Sequence, residues 1–320
     1  MIGIGFGTWS WGNQLIWGYK PGEADQVLEE TFRKAISGGL SFIDTADSYG
    51  TGLLNGRSET LLGKFIEKLA PTKIREINIA TKLAPYPWRI GSKGFQKAFF
   101  ASRDRLQGHI NRVQLHWSTS KYASWQELPL IDNLATLVEE GYVKEIGVSN
   151  IGPKRLMVIY ERLKKRGIPL KSLQVQFSLL SPDTANPTIN LLNLCKELNI
   201  EFIAYSPLAL GILAVSPGNN HLPERFLRRK IFSRILPASK ELRQTLKSIA
   251  NEHQASQAQV ALNWCRSYGA MPIVGIRTPV QAEDAIKALS WTLNIQEKEK
   301  LDDAKKDCEA RMPKNPFISE

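Results

Sequence analysis

Phe42-Ile43-Asp44-Thr45-Ala46-Asp47-Ser48-Tyr49-Gly50 is an apolar run that stops abruptly at an acid, with a tyrosine five residues further on. Strands of a parallel sheet are buried on both faces and read as short, continuous apolar runs. Asp44 therefore sits where a buried strand surfaces, and Tyr49 sits on the loop beyond it. The same grammar recurs along the chain: residues 77–82 end in Lys82, and residues 112–116 end in His116. An acid, a tyrosine, a lysine and a histidine at the ends of strands in one sheet share a rim. Together they can move a proton, so the pattern points to an enzyme.

Outward from this stretch, strands and helices alternate. A helix over residues 24–37 closes at Gly38-Gly39, a C-terminal stop signal, before the strand at 40–43. Leu61, Leu62, Phe65 and Ile66 form an apolar stripe at helical spacing. After Lys82 come the loop Ala84-Pro85-Tyr86-Pro87-Trp88, a helix at 95–106, the strand at 112–116 and a helix at 130–140. The strand at 145–148 ends in Ser149-Asn150, and Pro153 opens the next helix, where proline is tolerated. Strands at 173–177, 201–205 and 271–275 follow, interleaved with helices at 189–198, 240–252, 256–267 and 280–289 and a polar helix from about residue 296.

A first strand at 4–9 brings the count to eight strand–helix units. Strict alternation implies a parallel sheet. Eight units in 320 residues point to an α/β fold, a (β/α)8 TIM barrel forming one domain over residues 1–320, with its site at the C-terminal strand ends. An open, doubly wound sheet is the other arrangement. It is disfavoured because no G-x-G-x-x-G opens a strand–helix turn. Residues 206–238 depart from the rhythm, and a loop of that length suits a functional lid.

At 42% hydrophobic and 23% charged, the composition is that of an ordinary globular protein, and no apolar run approaches a membrane span. The opening residues read as a strand that starts at once, without a signal-peptide pattern. Cys195, Cys265 and Cys308 lie far apart and are odd in number, which suggests reduced thiols in a cytoplasmic setting. The four histidines have no second ligand at metal spacing, so no metal is expected. The net charge of +11 favours anionic partners. Its residues are scattered over helix faces and no nucleic-acid module is present, so a small anionic cofactor is the simpler explanation.

Asp44-Thr45-Ala46-Asp47-Ser48-Tyr49-Gly50, Thr81-Lys82, Gln114-Leu115-His116-Trp117, Gly147-Val148-Ser149-Asn150, Gln174-Val175-Gln176 and Ala204-Tyr205-Ser206-Pro207-Leu208 occur in this order. The set resembles the aldo-keto reductases over essentially the whole chain. Gly7-Thr8-Trp9-Ser10-Trp11-Gly12-Asn13-Gln14, Tyr86-Pro87-Trp88-Arg89, His116-Trp117-Ser118-Thr119 and Gln176-Phe177-Ser178-Leu179-Leu180 resemble the pyridoxal reductase branch of plants and cyanobacteria. The resemblance implies an NADPH-dependent reductase of small aldehydes or ketones, pyridoxal among them.

Carbonyl reduction needs a hydride on the carbon and a proton at the oxygen. A free tyrosine is a reluctant acid. On this reading Tyr49 is the acid, Lys82 lowers its pKa, Asp44 anchors Lys82, and neutral His116 orients the carbonyl. Each also has a plainer reading: helix capping for Asp44, surface for Tyr49 and Lys82, core packing for His116. By resemblance, Ser149, Asn150 and Gln174 hold the nicotinamide carboxamide, and Tyr205 stacks on its ring. Ser206, Leu208 and Gly211 offer backbone to the pyrophosphate. Arg277 anchors a 2′-phosphate, with Gln281 on the adenine side. Ala285 stands where the family has asparagine, which weakens the expected adenine contacts. Arg228-Arg229-Lys230, in the seventh loop, has two readings: it closes over the cofactor, or, the favoured one, it is a solvated cluster. Trp9, Trp11, Trp17, Tyr19, Tyr86, Trp88, Trp117 and Trp125 suit a planar ring substrate, although half or more are expected to be packing residues. Family members carry a hairpin before the first strand; without it, apolar barrel residues would be exposed and stability lowered. Two other functions stay open: a broad aldehyde or ketone reductase, and a non-catalytic NADPH sensor like the channel β subunits.

Overall fold

The computed structural model describes residues 2–182 and 187–319. Eight parallel strands close into a barrel in sequence order, β8 pairing back onto β1. They are β1 (Gly5–Gly7), β2 (Phe42–Asp44), β3 (Asn78–Leu83), β4 (Arg112–Leu115), β5 (Glu145–Ser149), β6 (Leu170–Gln176), β7 (Glu201–Tyr205) and β8 (Met271–Gly275). The helices are α1 (Gln14–Trp17), α2 (Asp25–Ser37), α3 (Arg57–Ile66), α4 (Pro71–Glu76), α5 (Gly91–Arg105), α6 (Ser124–Glu139), α7 (Pro153–Lys164), α8 (Pro187–Glu197), α9 (Phe226–Ala238), α10 (Lys240–Glu252), α11 (Gln257–Ser267), α12 (Pro279–Lys287) and α13 (Ile295–Asp307).

The expected alternation holds, with shorter strand ends. β1 spans three residues instead of six, and β4 stops one residue before His116, which is thus the first residue of its loop. Short α1 and α4 carry no buried side chains, so they leave no amphipathic signal. The long seventh connection is not a bare loop. It holds a 3-10 segment at Ala209–Ala214 and helix α9, which buries Phe232, Ile235 and Leu236.

Alternate residues of each strand face the barrel interior. Phe42, Ala80, Ile203 and Ile273 make its apolar layer. A Cβ on Gly5 would lie 2.8 Å from the Phe42 ring, so glycine there makes room for it. Below this layer Arg112 bridges the barrel floor, with Nη2 2.6 Å from Glu145 and Nη1 2.8 Å from Glu201. Its guanidinium lies 5.4 Å from the centre of the Phe42 ring. Phe42 is 7% exposed, so the floor is closed by a side chain and its ion pairs, not left apolar and open as the sequence suggested.

Most apolar burial lies between the sheet and the helices. One cluster runs from Leu83 through Phe177 to Trp264; another joins Phe6, Trp11, Phe32 and Phe65 on the β1–β2 side. Each such side chain, fully buried, contributes about 1.5–3 kcal/mol. A few of them offset the cost, several kcal/mol per ion, of burying charges inside the barrel.

Candidate active site

β2 and β3 bring Asp44 and Lys82 side by side, both facing inward. Lys82 Nζ is 2.6 Å from Asp44 Oδ2 and donates a second bond to the Thr45 carbonyl at 2.9 Å. Both side chains are sealed, at 1% and 2% exposure. Gln174 of β6 donates from Nε2 to the other carboxylate oxygen at 2.7 Å. Asp44 is thus held from two strands, and neither oxygen is orphaned.

Tyr49 lies above this pair. The Lys82 ammonium is 4.8 Å from its ring centre, and the His116 ring stands edge-on at 5.7 Å. The loop that carries Tyr49 turns through Gly50, at φ 139°, where a Cβ would fall 1.7 Å from the Leu54 carbonyl oxygen. Asp47 pins the same loop to the next one: it accepts from the Ala84 amide at 3.1 Å and pairs with Arg89. Ser48 Oγ lies 3.1 Å from His116 Nδ1, which leaves Nε2 for the pocket.

Electrostatics follow burial. Desolvation, then Asp44 and Tyr205, raise the Tyr49 phenol well above its usual value. This is opposite to the direction expected from Lys82. Asp44 is in direct contact with Lys82 and offsets its charge at the phenol, so desolvation of the phenolate dominates. Burial lowers Lys82, and Asp44 opposes that shift. Burial, then Lys82 and Arg89, push His116 well below 6.5, so its ring is neutral at physiological pH.

A cavity of about 940 Å³ opens over this group. Every cofactor residue expected from the sequence lines it, as do Asp44, Tyr49 and His116, while Lys82 lies behind Asp44. Ser149 and Asn150 close β5. Asn150, at φ 59°, donates from Nδ2 to the His116 carbonyl and to Ser149 Oγ. Tyr205 ends β7 and donates to Asn150 Oδ1 at 2.9 Å. Ser206 has φ 52°, and the chain then turns through Leu208 into the strained stretch Ala209–Leu210 and Gly211. Gln281 is exposed, and its Oε1 accepts from the Arg277 amide at 2.8 Å. Ala285 is buried in the core beside it.

Two features escaped the sequence. Arg228 is half-buried, apart from its exposed neighbours Arg229 and Lys230: it sits in the pocket wall, 4.3 Å from the Trp17 ring, with Arg277 4.9 Å from the same ring. Burial and the neighbouring Arg277 bring Arg228 down to about 10, and burial lowers Arg277. Among the described residues neither has a carboxylate partner. Arg228 Nε and Trp17 Nε1 are buried without a hydrogen bond. The other feature is the segment after α13, which returns over the pocket. Its Asn315 donates from Nδ2 to both Asn150 Oδ1 and Tyr205 Oη at 3.0 Å, and Phe317 stacks on Trp117 at 5.2 Å. No local pattern marks either feature, since each depends on a partner more than a hundred residues away.

Of the eight expected aromatic residues, Trp9, Trp17 and Trp117 line the cavity. Trp11 and Tyr19 are buried core residues, and Trp88 and Trp125 are largely exposed. Tyr86 and Trp88 stack on each other at 4.6 Å.

The sequence pattern of the Aldo/keto reductase family matches residues 3–306. The chain belongs to this family. It is therefore an oxidoreductase of carbonyl and alcohol groups that uses a nicotinamide cofactor. Among curated relatives, the chloroplastic pyridoxal reductase of Arabidopsis thaliana is 46% identical over 98% of this chain and 86% of its own length. An uncharacterised oxidoreductase of Mycobacterium tuberculosis is 31% identical, over 94% of this chain and 88% of its own length. Among solved structures, a glycerol dehydrogenase from Gluconobacter oxydans superposes with a TM-score of 0.78, at 23% identity, covering 99% of this chain and 95% of its own. The aldose reductase of Schistosoma japonicum does so at 0.68, with 20% identity and coverages of 98% and 90%. At these identities the two structures speak for the reductase's fold alone. Among its described residues, no helix is long and apolar enough to cross a membrane.

Proposed function

We propose that this reductase converts pyridoxal to pyridoxine with NADPH, and that Tyr49 delivers the proton. The observation that carries the reading is the sealed Asp44–Lys82 pair directly beneath a part-buried, protonated tyrosine that faces a neutral histidine. NADPH, when bound, supplies a hydride to the carbonyl carbon. His116, neutral, donates to the carbonyl oxygen and fixes its direction. Tyr49, kept protonated by burial, gives its proton to the same oxygen as negative charge builds there. Lys82 stands 4.8 Å from the ring and steadies the phenolate that this transfer leaves behind. Asp44 holds Lys82 in place and charged.

The cavity fits the cofactor. Ser149 and the unengaged Oε1 of Gln174 present a donor and an acceptor to a carboxamide, and Asn150 stands beside them. Tyr205 offers its ring face. Ser206, Leu208 and Gly211 lead the chain past the pyrophosphate, and Gln281 lies toward the adenine. Two unneutralised guanidiniums side by side repel each other, and a doubly charged 2′-phosphate would relieve that repulsion. This supports NADPH over NADH, with Arg228 joining Arg277. The likeness to the Arabidopsis enzyme supports pyridoxal, as do the flat walls of Trp9, Trp117 and Phe317. Three free, buried cysteines suit a reducing compartment such as the cytoplasm.

The test is NADPH oxidation by the purified protein, with pyridoxal, simple aldehydes and quinones. Steady turnover of pyridoxal is expected, and Tyr49→Phe should abolish it while still binding NADPH. Turnover of simple aldehydes without pyridoxal would sink the substrate assignment. A single stoichiometric oxidation would mark a sensor, and undiminished turnover by Tyr49→Phe would remove its role as the acid.

A further inference from the structure

The side chain of Asn150 has no hydrogen-bonding capacity left. Its Nδ2 donates twice, to the His116 carbonyl and to Ser149 Oγ. Its Oδ1 accepts twice, from Tyr205 and from Asn315. An amide has two N–H bonds and two acceptor lone pairs, so all four are engaged. On the reading above, this is one of the groups that receives the nicotinamide carboxamide, and the inference rests on that reading. A carboxamide arriving at Asn150 Oδ1 must displace a partner. Tyr205 and Ser149 belong to the barrel strands. Asn315 does not: it lies on a strap that crosses the pocket mouth, and its side chain is itself a carboxamide.

We infer that Asn315 occupies the carboxamide position when no cofactor is bound, so that residues 315–319 form a strap released by the nicotinamide end of the cofactor. The strap is built for one docked position. The Phe317 amide donates to Asn315 Oδ1 at 2.9 Å, closing a local turn that presents the Asn315 amino group to Asn150. Ser319 donates from its amide to the Asn150 carbonyl at 3.2 Å, and its Oγ accepts from the Gly152 amide at 2.9 Å. Phe317 lies on Trp117, the pocket wall beside His116, with Tyr122 edge-on to it at 6.3 Å. Three of these anchors converge on Asn150 or the residues beside it. Loss of the Asn315 contact therefore loosens the Phe317 wall as well, and the substrate end of the cavity widens when the nicotinamide is in place.

The strap separates two parts of one cofactor. The phosphate end, at Arg228 and Arg277, does not touch it; the nicotinamide end competes with it. Two probes follow: NADPH, and 2′-phospho-ADP-ribose, which keeps the phosphates and lacks the nicotinamide. Saturating NADPH should speed hydrogen exchange at the Ser319 amide by about tenfold or more, because its acceptor, the Asn150 carbonyl, lies outside the strap and would be lost. 2′-Phospho-ADP-ribose should leave that exchange unchanged. Asn315→Ala should tighten NADPH binding about five- to tenfold, the worth of roughly one net hydrogen bond, and leave the Kd of 2′-phospho-ADP-ribose as it was. Phe317→Ala should move NADPH binding in the same direction. Binding of both probes with Ser319 still protected, or weaker NADPH binding by Asn315→Ala, would overturn the strap alone. Failure of the native protein to bind either probe would overturn the strap and the reductase reading together.

Discussion

Removing the Asp44 carboxylate should cost the protein both its fold margin and its chemistry, and the two losses can be separated. In Asp44→Ala the Lys82 ammonium, 1% exposed, keeps only the Thr45 carbonyl at 2.9 Å. Breaking a buried ion pair by deleting one partner costs about 3–5 kcal/mol, since the remaining charge is desolvated without compensation. Gln174 Nε2 loses its acceptor at the same time, which adds about 1 kcal/mol. For a chain of 320 residues, unfolding entropy near the midpoint is about 0.7 kcal/mol per degree, so Tm should fall by roughly 6–9 °C. Replacing both members, Asp44→Leu with Lys82→Met, puts apolar groups of similar size where the charges were. Such replacements are neutral or stabilising, so most of the lost Tm should return. Turnover should not return, because nothing then steadies the Tyr49 phenolate. Calorimetry and NADPH oxidation on the single and double variants read the two effects. A single variant that melts within about 1 °C of the native protein, or a double variant as unstable as the single, would refute the argument that this pair is charged and desolvated.

The two guanidiniums at Trp17 should set cofactor choice. Arg277→Ala should raise the NADPH KM about tenfold and leave the NADH KM nearly unchanged, and Arg228→Ala should act in the same direction; equal effects on both cofactors would remove the 2′-phosphate assignment. His116 should make the fold acid-sensitive. Its folded pKa lies well below 6.5, so as pH falls through about 6.5 the unfolded chain takes up the proton first and stability is lost. Melts of the native protein should decline more steeply from pH 6.5 to 5 than those of His116→Gln, and parallel curves would contradict a desolvated neutral imidazole.

The barrel and most of the site could be read in the chain because both are written locally. A buried parallel strand has to be a short apolar run, and the polar residue that ends it marks the rim. That logic located Asp44, Lys82 and His116 at the ends of adjacent strands, and Tyr49 on the loop after the first. It could not locate Asn315, whose partners Asn150 and Tyr205 lie 165 and 110 residues away. Nor could it locate Arg228, since a basic run has the same pattern whether it faces water or a tryptophan. The floor bridge from Arg112 to Glu201 joins β4 to β7, which are not neighbours in the barrel, and has no sequence signature either.

The sequence by itself determined the periodicity, hence the parallel barrel, and the identity of the groups at its rim. Only the tertiary structure decided their charge states and partners. Barrel closure carries Gln174 onto Asp44 across 130 residues and drops Tyr49 over a pair already neutralised in sum. Its phenol is therefore pushed up by burial, against the direction that a lysine neighbour suggests. Desolvation depends on everything that folds over a group, and most of that arrives from elsewhere in the chain.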